Sequence, residues 1–306
     1  MASSVITVEH LQKRYGDVLA VRDVSFEVQR GEIFGILGPN GCGKTTTVEC
    51  LQGLRHADGG TMRVLGYDPR RQARELRRHI GAQLQESALP DRIKVWEALQ
   101  LFSSLATGGP PWETVMKEWG LSDRRNAAFS SLSGGQRQRL FVALALVNAP
   151  EVVFLDEMTT GLDPASRRVA WAMIERLRQQ GTTVVLVTHF MDEAERLCDR
   201  VAVIDEHQVI ASGSPAALVE RFEGGSEVSF TADGDVSFLE NVEGVNEVRR
   251  AGRRVVVRGS GALLAFVAAA LVHEGMAPLD LGVRRATLED VYLELTGGSE
   301  RVRAAR

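Results

Sequence analysis

The most specific chemical pattern in this chain is a glycine-rich segment that ends in lysine and threonine. Residues 38–45 read GPNGCGKT and fit the pattern G-x-x-x-x-G-K-S/T of a phosphate-binding loop. The glycines let the backbone turn with its N–H groups facing inward, and a helix that starts at the loop adds positive potential for an anion. In such a loop Lys44 reaches the β- and γ-phosphates, and the Thr45 hydroxyl ligates Mg²⁺. The segment therefore predicts a nucleoside triphosphate site rather than a chance glycine-rich turn.

The residues on either side of this loop supply the strand and the helix that it needs. Residues 33–37 read IFGIL, an apolar run typical of a buried strand. Residues 45–51 read TTTVECL and can begin a helix at the end of the loop. Because the fixed positions and both flanking elements agree, the motif is more specific than an isolated match.

An acidic pair, Asp156 and Glu157, follows a second apolar run at residues 152–155. A continuous apolar run is typical of a parallel strand that is buried on both faces, and ligands bind at the carboxyl ends of such strands. We therefore expect Asp156 to hold Mg²⁺ and Glu157 to polarise the attacking water. Acidic residues after a strand often only cap a helix, but the phosphate-binding loop upstream favours the catalytic interpretation.

Three further residues, His189, Ser133 and Tyr15, could contact a nucleotide, and each has a structural alternative. His189 follows the apolar run at residues 184–187 and is placed to touch phosphate, although a single histidine is usually structural. Ser133 precedes two glycines at a predicted helix start, which is either a second anion-binding geometry or a plain N-cap. Asp163, before a proline, is predicted to cap the next helix. Tyr15 could stack on a nucleobase or pack against its neighbours.

Composition and charge restrict the class of protein. The chain has 306 residues, enough for one large domain or two, with 44% hydrophobic residues, 25% charged residues and a net charge of −4. This charge gives no indication of nucleic-acid binding, which usually needs a basic surface. The three cysteines, none at zinc-ligand spacing, suit a reducing compartment. The longest apolar run, residues 262–272, is too short to span a bilayer, so we expect any membrane role to require a partner.

The periodicity of the sequence changes twice along the chain. Residues 91–148 are predicted to be helical, with a break at residues 108–111. A glycine-rich break at residues 224–226 ends the first domain. Beyond it, the order strand, helix, strand, strand, helix, strand predicts a split ferredoxin-like arrangement, with these elements at residues 227–232, 236–242, 246–250, 253–258, 261–275 and 278–285. We therefore expect one domain over residues 1–223 and a C-terminal accessory or regulatory domain over residues 224–306.

In their order and spacing these motifs resemble the ATP-binding subunit of ABC transporters, over about residues 4–222. The pentapeptide LSGGQ at residues 132–136 is the most specific element, since it is the signature of that family. The tail at residues 287–297, TLEDVYLELTG, resembles the C-terminal extension of bacterial drug-resistance exporters of the daunorubicin type. The resemblance implies an α/β fold of the P-loop NTPase class: an ABC ATPase cassette with an antiparallel β subdomain and a helical subdomain, joined to a small α+β ferredoxin-like C-terminal domain.

The resemblance also implies roles for individual residues. Tyr15 falls at the position of the aromatic residue that stacks on adenine. Gln85, with Gln83 as the competing choice, resembles the glutamine that links Mg²⁺ and the attacking water to the membrane partner. The signature residues and Asp163 would face ATP held by the opposite copy, and His189 fits the switch histidine.

The motifs and the resemblance together give the full set of predicted site residues. The predicted nucleotide-binding residues are Tyr15, Gly38, Pro39, Asn40, Gly41, Cys42, Gly43, Lys44, Thr45, Thr46, Ser133, Gly134, Gly135, Gln136 and Asp163. The predicted catalytic residues are Glu157, His189, Lys44 and Gln85, and the predicted Mg²⁺ ligands are Thr45, Gln85 and Asp156. Cys42, at a position that is often small and polar, also predicts sensitivity to thiol reagents.

The mechanism that the family implies needs partners. Two copies, as a homodimer or pseudo-dimer, would close head to tail around two ATP molecules and Mg²⁺, each ATP lying between one phosphate-binding loop and the other copy's signature. Their motion would drive membrane-spanning permease subunits from the cytoplasmic face of the membrane and export a drug, lipid or other hydrophobic compound.

Two other classes of function fit the sequence less well. One is a soluble ABC-type ATPase that acts on ribosomes or DNA. The chain has a single cassette and no heptad run, and both features argue against that class. The other is a module that senses ATP without turnover, which the presence of Glu157 and His189 opposes.

Overall fold

A computed structural model of the protein describes residues 3–83, 88–221, 225–284 and 286–296. Contacts between residues divide the chain into two compact units, Met1–Pro215 and Ala216–Arg306. Each unit has its own hydrophobic core, as expected of separate domains. The motifs that predict nucleotide chemistry all lie in the first unit.

The strands of the first unit form one mixed sheet. Within the described residues they are β1 (Ser4–Tyr15), β2 (Val18–Gln29), β3 (Ile33–Leu37), β4 (Gly59–Val64), β5 (Ile80–Gln83), β6 (Val152–Asp156), β7 (Thr183–Thr188), β8 (Arg200–Asp205) and β9 (Gln208–Gly213). Their order is β4-β1-β2-β9-β8-β3-β7-β6-β5. β1 pairs antiparallel with β2 and β4, whereas β3, β5, β6, β7 and β8 pair in parallel. The sheet thus joins an antiparallel part to a parallel core.

The parallel core explains why its strands read as continuous apolar runs. Every residue of β3, β6 and β7 is buried, because a sheet covered on both faces has no solvent side. The register places Leu37 of β3 beside Thr188 of β7, and Asp156 of β6 beside Val187 of β7. The carboxyl ends of these three strands therefore meet at one edge of the sheet, where the phosphate-binding loop, the acidic pair and His189 follow them.

The helices of the first unit connect these strands. Among the described residues they are α1 (Lys44–Leu51), α2 (Ala73–Leu76), α3 (Val95–Leu105), α4 (Trp112–Glu118), α5 (Gly134–Leu146), α6 (Pro164–Gln179) and α7 (Met191–Leu197), with α8 (Pro215–Glu220) at the boundary of the units. α3, α4 and α5 fall within the predicted helical region. Aromatic contacts hold this region together, including Trp96 with Trp112 and Phe129 with Phe141 at centroid distances of 6.4 and 5.6 Å. In the part of the chain described, no helix is long and apolar enough to cross a membrane.

The second unit is a small sheet with helices. Its described elements are β10 (Ser226–Thr231), a 3₁₀ turn (Ser237–Asn241), β11 (Val245–Ala251), β12 (Arg254–Gly259), α9 (Leu263–His273), β13 (Gly282–Arg284) and α10 (Leu288–Leu295). The sheet is antiparallel, in the order β11-β12-β10-β13. Alternate residues of β10 and β12 enter a core with one side of α9, as expected of a sheet covered on one face.

Two elements of this unit are shorter than the sequence predicts, because aspartate side chains replace backbone partners. The helix predicted at residues 236–242 is a single 3₁₀ turn, whose first N–H donates to the Asp235 carboxylate at 3.0 Å. The strand predicted at residues 278–285 is reduced to β13. The Asp280 carboxylate accepts hydrogen bonds from the N–H and the hydroxyl of Thr231 at 3.0 and 2.6 Å, where a longer strand would have paired.

Candidate nucleotide-binding and catalytic site

The phosphate-binding loop connects β3 to α1, and at two of its glycines both the backbone conformation and the surrounding atoms exclude a side chain. Gly38 and Gly43 have φ angles of 149° and 103°, which L-residues with side chains rarely adopt. A Cβ at Gly38 would also collide with the Ile204 carbonyl, and one at Gly43 with the Ala20 carbonyl. Gly43 caps α1 without any side-chain hydrogen bond, so the amides of the first turn remain available to an anion.

The Lys44 ammonium lies across this loop. Its Nζ donates to the carbonyls of Gly38 and Pro39 at 2.9 and 3.0 Å, and the residue is only 5% exposed. A cleft of about 410 Å³ opens beside it, large enough for a triphosphate group. The cleft is lined by Ala20, Asn40, Gly41, Gly43, Lys44, Thr45, Thr46 and Glu157. The parallel sheet therefore brings the loop and the second acidic residue to one cavity.

Asp156, the last residue of β6, is buried beside Thr45 and is only 2% exposed. Burial raises the pKa of its carboxyl to about 6, while interaction with the Thr45 hydroxyl opposes the rise. The Oδ1 atom has no hydrogen-bond partner in the described part of the chain. A buried carboxylate oxygen without a partner, next to a hydroxyl, is a donor set that fits Mg²⁺, which prefers oxygen ligands.

Glu157 and His189 form a polar pair at the same edge. His189 Nδ1 lies 3.2 Å from Glu157 Oε1, and the Glu157 side chain is 7% exposed. With Glu157 ionised, this bond requires the proton on Nδ1. The backbone of Glu157 has a φ of 47°, and its N–H donates to the Val187 carbonyl at 2.9 Å. A left-handed conformation at a residue other than glycine costs energy, and such strain is concentrated at functional sites.

The signature residues lie at the start of α5 and not in this cleft. The Ser133 hydroxyl accepts from the Gln136 N–H at 3.4 Å, and the Gln136 side-chain oxygen accepts from the Ser133 N–H at 3.0 Å. This reciprocal capping box is the structural alternative that the sequence left open. Gly134 and Gly135 follow within the first turn, and a Cβ at Gly135 would lie 3.7 Å from the Ser166 Oγ of α6. Of the residues that the structure describes, none from the signature lines the cleft of its own chain.

Asp163 caps α6 as predicted from the proline that follows it. Its Oδ1 accepts from the N–H groups of Ala165 and Ser166 at 2.9 and 3.0 Å. The hydroxyl of Ser166 donates to Oδ2, and this bond, with the backbone bonds, lowers the pKa of Asp163. The signature and Asp163 are therefore close to each other, near the start of α6.

Three predicted residues need separate comment. Tyr15 ends β1, is 40% exposed and lies under the Lys13 ammonium at 5.1 Å, and it does not line the described cleft. Gln85 lies outside the described residues. Gln83, its competitor, is buried and accepts from the Gln138 amide at 3.0 Å, which ties β5 to α5.

The predicted reactivity of Cys42 is not supported by its surroundings. The residue is 5% exposed, and a Cβ at Gly38 would meet its sulfur, so little space surrounds the thiol. Burial raises the pKa of the Cys42 thiol, although Lys44 opposes the shift. Because the thiolate is the reactive form, burial and the raised pKa both disfavour reaction of Cys42 with thiol reagents, against the expectation from the sequence.

Two residues at the site were missed in the sequence. Ala20 lines the cleft from β2, and an alanine carries no chemical signal that could have revealed it. Phe190 packs against the His189 ring at a centroid distance of 4.1 Å. Its position directly after the histidine was the available signal.

Comparison with known proteins identifies the family. The family model described as "ABC transporter" matches residues 21–160. The chain is 39% identical to the Nod factor export ATP-binding protein I of Burkholderia orbicola, over 97% of this chain and 98% of that protein. The chain belongs to the ABC transporter family. As an ABC ATPase it binds and hydrolyses ATP, and the resemblance to an ABC transporter ATP-binding subunit is confirmed.

Other relatives of this ABC ATPase support the same family assignment. The daunorubicin resistance ATP-binding protein DrrA3 of Streptomyces coeruleorubidus is 36% identical over 100% of both chains. The solved structure of cbiO1 from Clostridium perfringens, part of an ABC transporter complex, is 28% identical with a TM-score of 0.64 and covers 71% of this chain and 91% of that one. A nucleotide-free ATP-binding cassette from an ABC transporter has a TM-score of 0.63 at 23% identity, over 69% of this chain and 92% of that one, and so shows the shared fold. None of these relatives is named for ribosomes or DNA, so the alternative function has no support.

Proposed function

We propose that this ABC ATPase couples ATP hydrolysis to the export of a hydrophobic compound through separate membrane-spanning permease subunits. The extent of similarity carries the proposal. A protein named for Nod factor export matches 97% of the chain, and one named for daunorubicin resistance matches 100%. The compound is expected to be a drug, a lipid or another hydrophobic molecule. The enzyme would act at the cytoplasmic face of the membrane, held there by its permease.

Residues 38–45 are proposed to hold the triphosphate of ATP. The amides of the loop and of the first turn of α1 would face the phosphates, and Lys44 would exchange its bonds to two loop carbonyls for bonds to phosphate oxygens. Thr45 and Asp156 would hold Mg²⁺, which when bound neutralises charge on the phosphates. The buried Oδ1 of Asp156, which has no partner in the described part of the chain, supports this role.

Glu157 and His189 are proposed to act on the attacking water. The water oxygen forms a bond to the γ-phosphorus while the bond from that phosphorus to the β–γ bridging oxygen breaks, and the Glu157 carboxylate accepts the water proton. The hydrogen bond between His189 and Glu157, 3.2 Å long, would fix the direction of the carboxylate. Glu157 lines the same cleft as the phosphate-binding loop, and this shared lining supports the assignment.

A second copy of the chain is proposed to complete each site, giving a homodimer. The signature and Asp163 are near each other at the starts of α5 and α6, and within the described residues neither lines its own cleft. The first-turn N–H groups of Gly134 and Gly135, with the Ser133 hydroxyl, form an anion site that would suit the γ-phosphate of ATP on the other copy. When two copies close head to tail, each ATP would therefore lie between the phosphate-binding loop of one copy and the signature of the other.

The burial of the Asp156 carboxylate predicts an unusual effect of Asp156→Asn on stability. The pKa of this carboxyl is about 6 against an ordinary value of 3.8, so its charge costs stability above pH 6, and the cost disappears as the pH falls below 4. Two pKa units correspond to a cost on the order of 2–3 kcal/mol. In EDTA the variant is expected to melt several degrees above the parent at pH 7.5, and by a smaller margin at pH 5. It should also lose Mg²⁺-dependent ATP hydrolysis.

Differential scanning fluorimetry between pH 5 and 8 measures this difference. Asp123→Asn, at an exposed turn, is the control for removing a carboxylate that is not buried. An Asp156→Asn variant that is less stable than the parent at pH 7.5 in EDTA would contradict the account of the buried carboxylate.

Export is tested by reconstitution with a candidate permease. Inverted vesicles that contain the ATPase and the permease are expected to accumulate daunorubicin, used as the probe, only when Mg²⁺ and ATP are present. Vesicles with Glu157→Gln in place of the parent are the control. The proposed coupling would be contradicted if the ATPase binds no membrane protein and its ATP turnover is unaffected by any. The ATPase assignment would then still stand.

Residues 1–223 are proposed to form the ATP-binding cassette and residues 224–306 an accessory or regulatory domain of the split ferredoxin-like type. The strand order β11-β12-β10-β13 and the position of α9 after the central hairpin support this plan. The reduction of the first helix to a 3₁₀ turn departs from it.

A further inference from the structure

A stack of three side chains connects α6 with the polar pair of the catalytic site. The rings of His189 and Phe190 are 4.1 Å apart between centroids, with an angle of 41° between their planes. The guanidinium carbon of Arg167 lies 4.5 Å from the centroid of the Phe190 ring. His189 Nδ1 is in turn 3.2 Å from the carboxylate of Glu157. The side chains therefore form a continuous series from the first turns of α6 to Glu157.

The backbone and the ring of Phe190 are held by different groups. The Phe190 N–H donates to the Oγ1 of Thr188 at 3.0 Å, and Thr188 is buried at the end of β7. This bond fixes the main chain but leaves the rotation of the ring undetermined. The guanidinium of Arg167, on α6, lies over the face of the ring, where the attraction of a cation to the aromatic face opposes rotation. The position of the ring thus depends on a second element of the fold.

The surroundings of Arg167 indicate that its placement is not set by ordinary pairing. Its Nε is buried without a hydrogen-bond partner in the described part of the chain, a situation that is uncommon and unfavourable for a charged group. Its nearest carboxylate is Asp192, at 3.7 Å from Nη1, and that side chain is 63% exposed, so the ion pair is weak. The contact with Phe190 is therefore the main restraint on the guanidinium.

We propose that Arg167 is a positioning residue for ATP hydrolysis, acting through the Phe190 ring to hold His189 against Glu157. The inference rests on the proposed roles of His189 and Glu157. Arg167 follows Asp163 by four residues on α6, so a shift of the start of α6 would move the guanidinium and the ring together. Contact of a second copy near Asp163 would in this way change the geometry of the catalytic pair.

The first test compares substitutions at Arg167. Arg167→Met keeps the length of the side chain but removes the cation, and it is expected to lower kcat about tenfold with the KM for ATP changed less than about twofold. Arg167→Lys keeps a cation and should retain more of the activity. Arg168→Met, at the exposed neighbouring position, is the matched control and should leave kcat unchanged. A kcat of Arg167→Met equal to that of the parent would overturn the inference.

A double-mutant cycle distinguishes action through His189 from a general loss of structure. In a His189→Ala background, Arg167→Met should cause no further loss of kcat. In the parent background, Phe190→Leu should reduce kcat as Arg167→Met does, and the two substitutions combined should cost no more than either alone. An equal loss in both backgrounds would overturn the inference. If His189→Ala alone leaves kcat unchanged, the proposed role of His189 fails and the inference fails with it. If His189→Ala lowers kcat and Arg167→Met does not, only the inference fails.

Discussion

Glu157→Gln is expected to abolish steady-state ATP hydrolysis while leaving ATP binding intact. Glutamine has nearly the same shape and can still bond His189, so the cleft is preserved, but its amide cannot accept the proton of the attacking water. A general base contributes roughly 10²–10⁴-fold to a rate, and a loss of at least that order is expected. Phosphate release measures hydrolysis, and a fluorescent ATP analogue measures binding.

The same variant should accumulate as a dimer in the presence of ATP. If the γ-phosphate joins two copies and is not removed, size-exclusion chromatography with light scattering should report about twice the mass of 33.4 kDa. Glu175→Gln, which alters a half-exposed side chain 4.0 Å from Arg196, is the control and should behave as the parent does. Turnover by Glu157→Gln at the parent rate would show that another group accepts the proton.

Lys44→Ala is expected to weaken ATP binding by about tenfold to a hundredfold and to remove hydrolysis. The Lys44 ammonium is almost fully buried beside the cleft, where water and salt screen its attraction to phosphate less than at an exposed position. Hydrogen bonds to charged groups contribute about 1.5–3 kcal/mol each, and about 1.4 kcal/mol corresponds to a tenfold change in affinity. Isothermal titration calorimetry measures the loss, and Lys117→Ala, at an exposed position of α4, is the control. Unchanged affinity would exclude residues 38–45 as the triphosphate site.

Gly135→Asp provides the contrast to Lys44→Ala. Because the signature does not line its own cleft among the described residues, the variant should bind ATP as the parent does in the monomer and yet fail to hydrolyse it. A Cβ at this position has room, 3.7 Å from Ser166 Oγ, so the added carboxylate acts by repelling phosphate and not by disrupting α5. Weaker binding in the monomer would contradict a signature that works across copies.

Sequence motifs predicted those parts of the site whose residues are neighbours along the chain. The loop at residues 38–45 and the acidic pair after β6 are contiguous, and their strand context follows from apolar runs whose length and position the sequence states directly. The caps at Ser133 and Asp163 were predictable for the same reason, since a capping side chain bonds to amides two or three residues away. Family membership and the ATPase activity followed from these segments.

Periodicity was a weaker guide in the second unit. It found the hairpin of β11 and β12 and the apolar helix α9, whose patterns are regular over several residues. It overestimated two elements where Asp235 and Asp280 bond to backbone N–H groups, because whether a side chain replaces a backbone partner depends on geometry that the pattern does not contain.

The arrangement of distant residues depended on the packed fold. Glu157 and His189 are 32 positions apart, and the pairing of Asp156 with Val187 is what sets their side chains 3.2 Å from each other. Burial of Asp156 and Cys42, which raises both pKa values, likewise depends on what packs around them. The sequence by itself determines which residue types occur at which spacing and which of them begin or end a helix or a strand. Strand register and burial depend on contacts made across the whole sheet, and only the folded chain contains them.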